Sequence, residues 1–289
     1  PSPPACRAGF SVYTVGVADD VDIMDPDSCL QRWPVQLGDT FELRGPSGVV
    51  HVLACGDATD SAVRATLLPD VAPHVVVADP PYGIAYHCHR VVSNPASPQF
   101  GAKRRGATQI KSDRGELADI EWMRLWTPSI AAYVWAHWRR LTIVADSMRD
   151  AGYEPKHRVV WDKCHYGVGN TKQYGTLVED CLVWMRSDYQ IPWAKREGNL
   201  WRAGTNLAQE GGRVGHPTQK AIGVIRPAVL HACPENGVVA DPFAGSGTTV
   251  IACEQVGGGR RCVAVELDPK YCALILERCT RHGFTVTRC

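Results

Sequence analysis

Four residues, Asp79-Pro-Pro-Tyr82, combine the parts needed to act on an amino group. Two prolines in succession stiffen the backbone and remove two amide donors. The Pro80 carbonyl is then left to accept a hydrogen bond beside the Asp79 carboxylate, with Pro81 holding the turn. Two acceptors converging on one point suit an NH2 with two protons to give, and Tyr82 offers a flat face on which a base can stack. A rigid surface turn is the plain alternative, but a chance match to a given four-residue string is rare in a chain of this length.

A second segment, Asp241-Pro-Phe-Ala-Gly-Ser-Gly-Thr-Thr249, lies between an apolar β-branched run and a helical pattern. Its glycines allow a tight turn and close approach of the backbone to a ligand, where parallel α/β folds bind nucleotides. On the glycines alone an ordinary strand-to-helix turn reads equally well. The loop lacks the Gly-Lys-Ser/Thr of a phosphate-binding P-loop and departs from Gly-x-Gly-x-x-Gly, which argues against nucleotide hydrolysis and nicotinamide chemistry. Glu266 ends the next apolar run, where an acidic side chain can accept both ribose hydroxyls of an adenosine-containing ligand.

These segments must be held by regular elements. The runs at 49–54, 74–78, 131–135, 159–161, 181–185, 237–241 and 261–266 read as strands. Helices are expected at 61–68, around Leu141, Val144 and Met148, from Pro217 to about Cys233 with a kink at Pro227, from Thr248 to Gln255, and from Pro269 to His282. Strands alternating with helices give an α/β fold with a mostly parallel central sheet and helices on both faces. Residues 1–35 read as an extended N-terminal arm and 36–289 as one catalytic domain. Two irregular segments interrupt it, 83–118 and 187–215, and structureless stretches this long are usually functional.

The chain has 289 residues, 45% of them hydrophobic and 21% charged, enough to bury a sizeable core. A net charge of +1 excludes a histone-like polycation. No stretch approaches the ~20 apolar residues of a membrane span, and no signal peptide is visible. The twelve cysteines include no Cys-x-x-Cys pair. Several sit in apolar runs, so they read as small buried hydrophobes in a reducing, cytoplasmic compartment, with no metal site. His87-Cys88-His89 reads as loop.

Asp79-Pro-Pro-Tyr82 followed much later by Asp241-Pro-Phe-Ala-Gly-Ser-Gly247 resembles the amino-group DNA methyltransferases, in the motif order of their beta class. His216-Pro-Thr-Gln-Lys220 and Cys55-Gly-Asp57 strengthen the match, which covers about residues 36–282. The resemblance implies a Rossmann-like class I methyltransferase using S-adenosyl-L-methionine. Asp57 and Ala58 would lie near the cofactor adenine, and Phe243, Ala244, Gly245, Ser246, Gly247 and Thr248 would form its loop. Asp241 would stand near its amine, Glu266 would bind its ribose, and Thr218 and Lys220 would approach its carboxylate. Asp79 and Pro80 would hold the target amine of a base flipped onto Tyr82.

Over residues 86–115 six cations, Arg90, Lys103, Arg104, Arg105, Lys111 and Arg114, face one anion, Asp113, a local charge of +5 that suits DNA phosphates. Residues 187–215, with Trp193, Lys195, Arg196, Trp201 and Arg202, occupy the place of the family's target-recognition region and are short. Asp ahead of Pro-Pro-Tyr favours adenine N6. Cytosine N4, and a relative that binds DNA without catalysis, are the alternatives. A homodimer, a cognate restriction endonuclease, and a partition-protein-like domain fused ahead of this segment, as in some phage methyltransferases, are the partners the resemblance implies.

Overall fold

The computed structural model describes residues 24–69, 71–81, 87–88, 108–109, 120–164, 174–191, 197–204 and 218–289. Ten strands form one sheet: β1 (Thr40–Arg44), β2 (Val50–Cys55), β3 (Val75–Ala78), β6 (Ala131–Ala136), β7 (His157–Asp162), β8 (Val178–Met185), β9 (Leu200–Arg202), β10 (Val238–Asp241), β11 (Arg261–Glu266) and β12 (Thr285–Arg288). A separate pair, β4 (His87–Cys88) and β5 (Thr108–Gln109), is antiparallel, so His87 and Cys88 form a short strand where loop was expected. The sheet order is β12-β1-β2-β11-β10-β3-β6-β8-β7-β9. From β2 to β6 every pairing is parallel. β8 runs against both neighbours, and β1 against both of its own.

The helices are α1 (Pro26–Arg32), α2 (Ser61–Leu67), α3 (Ile120–Leu125), α4 (Leu141–Asp150), α5 (Ile222–Ala232), α6 (Thr248–Val256) and α7 (Pro269–Arg281). β3 and β6 are apolar at every position, and β10 and β11 are polar only at their ends, because both faces are covered. Side chains alternate between two cores, as the strand period requires. Val75, Val77, Tyr133, Trp135, Val239 and Ala264 join one core with α1, α5, α6 and α7. Val76, Ala78, Val134, Ala240, Val263 and Val265 join the other with α3 and α4.

Other elements also depart from the sequence expectation. Residues 26–32 form α1 rather than extended arm, capped by the Asp25 carboxylate on the Ser28 amide. A helix this short is marginal alone. It is held by α7, where Glu277 accepts from Arg32 at 3.2 Å and from the Trp33 indole at 3.1 Å. α5 begins at Ile222 rather than Pro217, because Ala221 is extended (φ −70°, ψ 140°) and the chain before it is drawn toward the strand ends. β9 forms within the segment expected to be irregular. No helix among the described residues is long and apolar enough to cross a membrane.

Candidate active site

β10 and β3 are neighbours, but the chain leaves β10 toward β11 on one side and leaves β3 toward β6 on the other. Their carboxyl ends therefore frame the point where sheets of this kind bind ligands. Asp241 is the last residue of β10, and Asp79 follows β3 directly.

The glycine-rich loop crosses from β10 to α6. Gly245 (φ 53°) and Gly247 (φ 75°) are both left-handed, a conformation that side chains disfavour. A Cβ on Gly247 would lie 2.8 Å from Ile275 Cγ2, so α7 packs directly against the turn. The Ala244 amide donates to the Val265 carbonyl at 2.8 Å and anchors the loop to β11. Asp241 is buried and accepts from the Phe243 amide (3.0 Å) and the Thr249 hydroxyl (2.5 Å). Burial pushes its carboxyl up to about 7, against those two hydrogen bonds.

Glu266 closes the loop from the other side. Its two oxygens accept from the Gly245 and Asp268 amides, each at 2.8 Å. Burial raises its carboxyl to about 7 in spite of them, with Asp268 and Asp241 adding repulsion. Each oxygen keeps a further lone pair, so acceptor capacity for a diol remains. β2 brings Cys55 opposite Glu266, and the Gly56 amide donates to the Glu266 carbonyl at 3.0 Å. That pairing sets Asp57 and Ala58 beside the loop. Asp57 is exposed and caps its own turn through the Thr59 amide (2.9 Å), while buried Ala58 accepts from the Trp126 indole (2.8 Å). Phe243 meets Trp122 edge-on at 5.1 Å. A tight backbone turn without side chains at its glycines, facing the two acceptor oxygens of Glu266, fits an adenosine-type cofactor.

Ser246 and Thr248 are buried and brace the loop. Their hydroxyls lie 3.2 Å apart, and Thr248 donates to the Lys220 carbonyl at 3.1 Å. Behind them the fully buried Arg278 of α7 donates to the Ser246 carbonyl (2.9 Å) and the Thr248 hydroxyl (3.0 Å). Thr218 is half-buried, two residues before Lys220.

The Lys220 ammonium lies 2.5 Å from Asp79 Oδ2 and 3.1 Å from Glu179 Oε2, over the Trp135 ring at 5.6 Å. Glu179 also meets Lys163 at 2.6 Å. Four charges from four parts of the chain thus alternate in sign, from Asp79 at the loop end to Lys163 after β7. Burial alone would favour neutral Lys220, but Asp79 and Glu179 outweigh it and hold its pKa above the ordinary lysine value. Burial would likewise raise Glu179, yet Lys220 and then Lys163 pull it down to about 2. The Lys220 expected near a cofactor carboxylate is thus already engaged by two side-chain carboxylates.

Pro80 is buried and Pro81 half-buried beside Asp79. Tyr82, the six loop cations Arg90, Lys103, Arg104, Arg105, Lys111 and Arg114, and Trp193, Lys195 and Arg196 lie outside the described residues. Trp201 packs on Tyr133 (6.1 Å) and His231 (5.9 Å), and Arg202 pairs with Asp162 at 3.1 Å, so both have structural partners within the fold. Glu179, Lys163 and Arg278 were not singled out from sequence, and Thr249 stood in the quoted motif without a role. The one signal was an acidic pair, Glu179-Asp180, opening an otherwise apolar strand.

The family model described as DNA methylase, for N6 and N4 methyltransferases, matches residues 74–277. Type II methyltransferase M2.LlaDCHI of Lactococcus lactis subsp. cremoris is 21% identical over 243 residues, 73% of this chain and 85% of the relative. Type II methyltransferase M2.DpnII of Streptococcus pneumoniae is 21% identical over 232 residues, 71% and 81%. Among solved structures, the M1.HpyAVI–SAM complex superposes with a TM-score of 0.57 at 19% identity, covering 78% of this chain and 97% of that one. The cytosine-N4-specific PvuII DNA methyltransferase gives 0.53 at 12% identity, covering 80% and 91%. The fold is that of the class I methyltransferases, and the chain belongs to the N6/N4 DNA methylase family.

Proposed function

We propose that the protein methylates the N6 amine of adenine in DNA, with S-adenosyl-L-methionine as cofactor. The observation that carries the reading is Asp79: a carboxylate at the end of β3, across the switch point from the Asp241–Thr249 loop, turned toward a buried lysine.

Bound in the loop, the cofactor supplies an electrophilic methyl group. The glycines let the backbone approach it, Glu266 accepts from its ribose, and Asp57 lies on the adenine side. The amine of adenine is a poor nucleophile because its lone pair is delocalised into the ring. Asp79 and the Pro80 carbonyl accept its two protons as hydrogen bonds and pull the nitrogen toward tetrahedral geometry. Lys220 occupies one Asp79 oxygen and orients the group, and a carboxylate retains acceptor capacity beyond one bond. Positioning and electrostatics supply most of the acceleration. The proton leaves after transfer, so Asp79 need not be a strong base, and no cysteine is needed as nucleophile. The target base leaves the duplex to reach this depth, with Tyr82 as its stacking partner and Arg90, Lys103, Arg104, Arg105, Lys111 and Arg114 on the phosphates. The type II naming of the relatives supports a restriction–modification role with a partner endonuclease.

The test is transfer of labelled methyl groups to mixed-sequence duplex DNA, with nucleoside mass spectrometry of the product and Asp79→Ala alongside. N6-methyladenine that vanishes in the variant is the expected result. N4-methylcytosine refutes the choice of base, and undiminished transfer by the variant refutes the role of Asp79.

A further inference from the structure

The outer rim above Asp79 carries an exposed aromatic and basic surface that the amine chemistry does not use. β3 and β6 are parallel with Ala78 opposite Val134, so Asp79 is level with Trp135. Trp138 lies just past the carboxyl end of β6, where His137 is still extended and the chain turns into a short 3-10 helix over Trp138–Arg140. β8 returns along β6 with Asp180 opposite Ala136, and Asp162 of β7 faces Val178. Val178 therefore lies two residues beyond the level of Ala136, toward the same end of the sheet as Trp138.

What stands there is unusual for a water-facing edge. Trp138 is 63% exposed, Tyr174 is fully exposed, and Leu177 and Val178 are also exposed. The Arg139 guanidinium lies 5.1 Å from the centre of the Trp138 ring, and the His137 ring lies 5.7 Å away, tilted by 34°. Arg140 follows directly. Large aromatics left in water forgo their burial, and two of them at one end of a sheet suit a binding surface. Guanidinium groups beside an open aromatic face match the two halves of a nucleotide, phosphate and base.

We propose that Trp138 and Tyr174 form a stacking rim for unpaired bases flanking the flipped nucleotide, with Arg139 and Arg140 on the phosphates of that strand. The proposal rests on the DNA methyltransferase reading and adds contacts beyond the cations named in residues 83–118. A second copy of the chain is a poorer occupant, because a two-fold contact centred here would bring the arginine pairs of both copies together.

Trp138→Ala, Trp138→Phe, Tyr174→Ala and Arg139→Ala in the full chain address the rim without touching the core. Fluorescence anisotropy on labelled duplex and single-stranded oligonucleotides reads DNA affinity, and calorimetry reads affinity for S-adenosylmethionine. Trp138→Ala is expected to weaken DNA binding by about 5- to 100-fold, the range of base–aromatic stacking. Trp138→Phe should recover most of it, and Arg139→Ala should lower the salt slope by about 1. Affinity for S-adenosylmethionine should not change. If wild-type protein methylates DNA and Trp138→Ala binds it with unchanged affinity and salt slope, the rim is refuted alone. A changed oligomeric state with DNA affinity intact would give the surface to a second copy and refute it too. Wild-type protein that neither binds nor methylates DNA overturns both readings.

Discussion

Glu179→Gln removes one charge from the middle of the alternating set Asp79, Lys220, Glu179, Lys163. The native carboxyl sits at about 2 against an ordinary value of 4.5. At 1.36 kcal/mol per pH unit, that difference is worth about 3 kcal/mol at neutral pH. The Glu179 side chain is 24% exposed, so water reaches it and the figure is a ceiling. Its folded pKa is depressed, so the stabilisation is present above the unfolded value near 4.5. It is lost as pH falls from there toward 2. Urea unfolding of wild type and Glu179→Gln should differ by up to about 3 kcal/mol at pH 7, with roughly half of that left near pH 3.

Lys163→Met separates this from a general packing defect. It removes only the outer partner, and in a double-mutant cycle with Glu179→Gln the two changes should be strongly non-additive. Glu179→Gln should also reduce turnover with intact cofactor binding, because Lys220 then answers to Asp79 alone. A Glu179→Gln penalty that is the same at every pH would refute the electrostatic origin. Additive losses in the cycle would refute the network.

Three further outcomes follow from the loop. Gly247→Ala, at φ 75° and with Ile275 Cγ2 2.8 Å from the new Cβ, should cost about 1–3 kcal/mol in urea unfolding. Ile275→Ala deletes both γ carbons that the new Cβ would meet, so in a double-mutant cycle the two changes should cost less together than their sum, and strict additivity would assign the whole loss to the backbone. Glu266 has its carboxyl raised to about 7, so S-adenosylmethionine affinity by calorimetry should climb as pH rises from 6 to 8. Glu266→Gln should weaken binding by about 10-fold or more and reduce that rise, leaving the part contributed by the Asp241 carboxyl, which is also raised to about 7. The same raised pKa gives stability that is full below about 4.5 and lost as pH climbs through about 7. Ligand-free Glu266→Gln should therefore gain on wild type at pH 8. Arg278→Met, which strips donors from the Ser246 carbonyl and Thr248 hydroxyl, should raise the cofactor Kd by about 10-fold and change kcat at saturation less than twofold.

The central strands and most helices were legible because each announces itself locally. Val75–Ala78 and Arg261–Glu266 are continuous β-branched or apolar runs, and Asp268 with Pro269 marks the start of α7 before the structure is seen. α1 was not legible, because seven largely polar residues become helical only when Glu277, more than two hundred residues away, holds Arg32 and Trp33. β12 was not legible either, since Thr285–Arg288 has only β1 to pair with. The site divides along the same line. Asp79, the glycines and Glu266 stand at strand ends, and their types already suit their tasks. What Lys220 does with its charge depends on a partner 141 positions earlier and another on a strand that returns antiparallel beside β6. A motif can thus name the residue that carries a charge, while the sheet order decides which opposite charge it meets. The buried network around Lys220 is accordingly a property of topology, set by which strands the sheet brings together rather than by the motif letters.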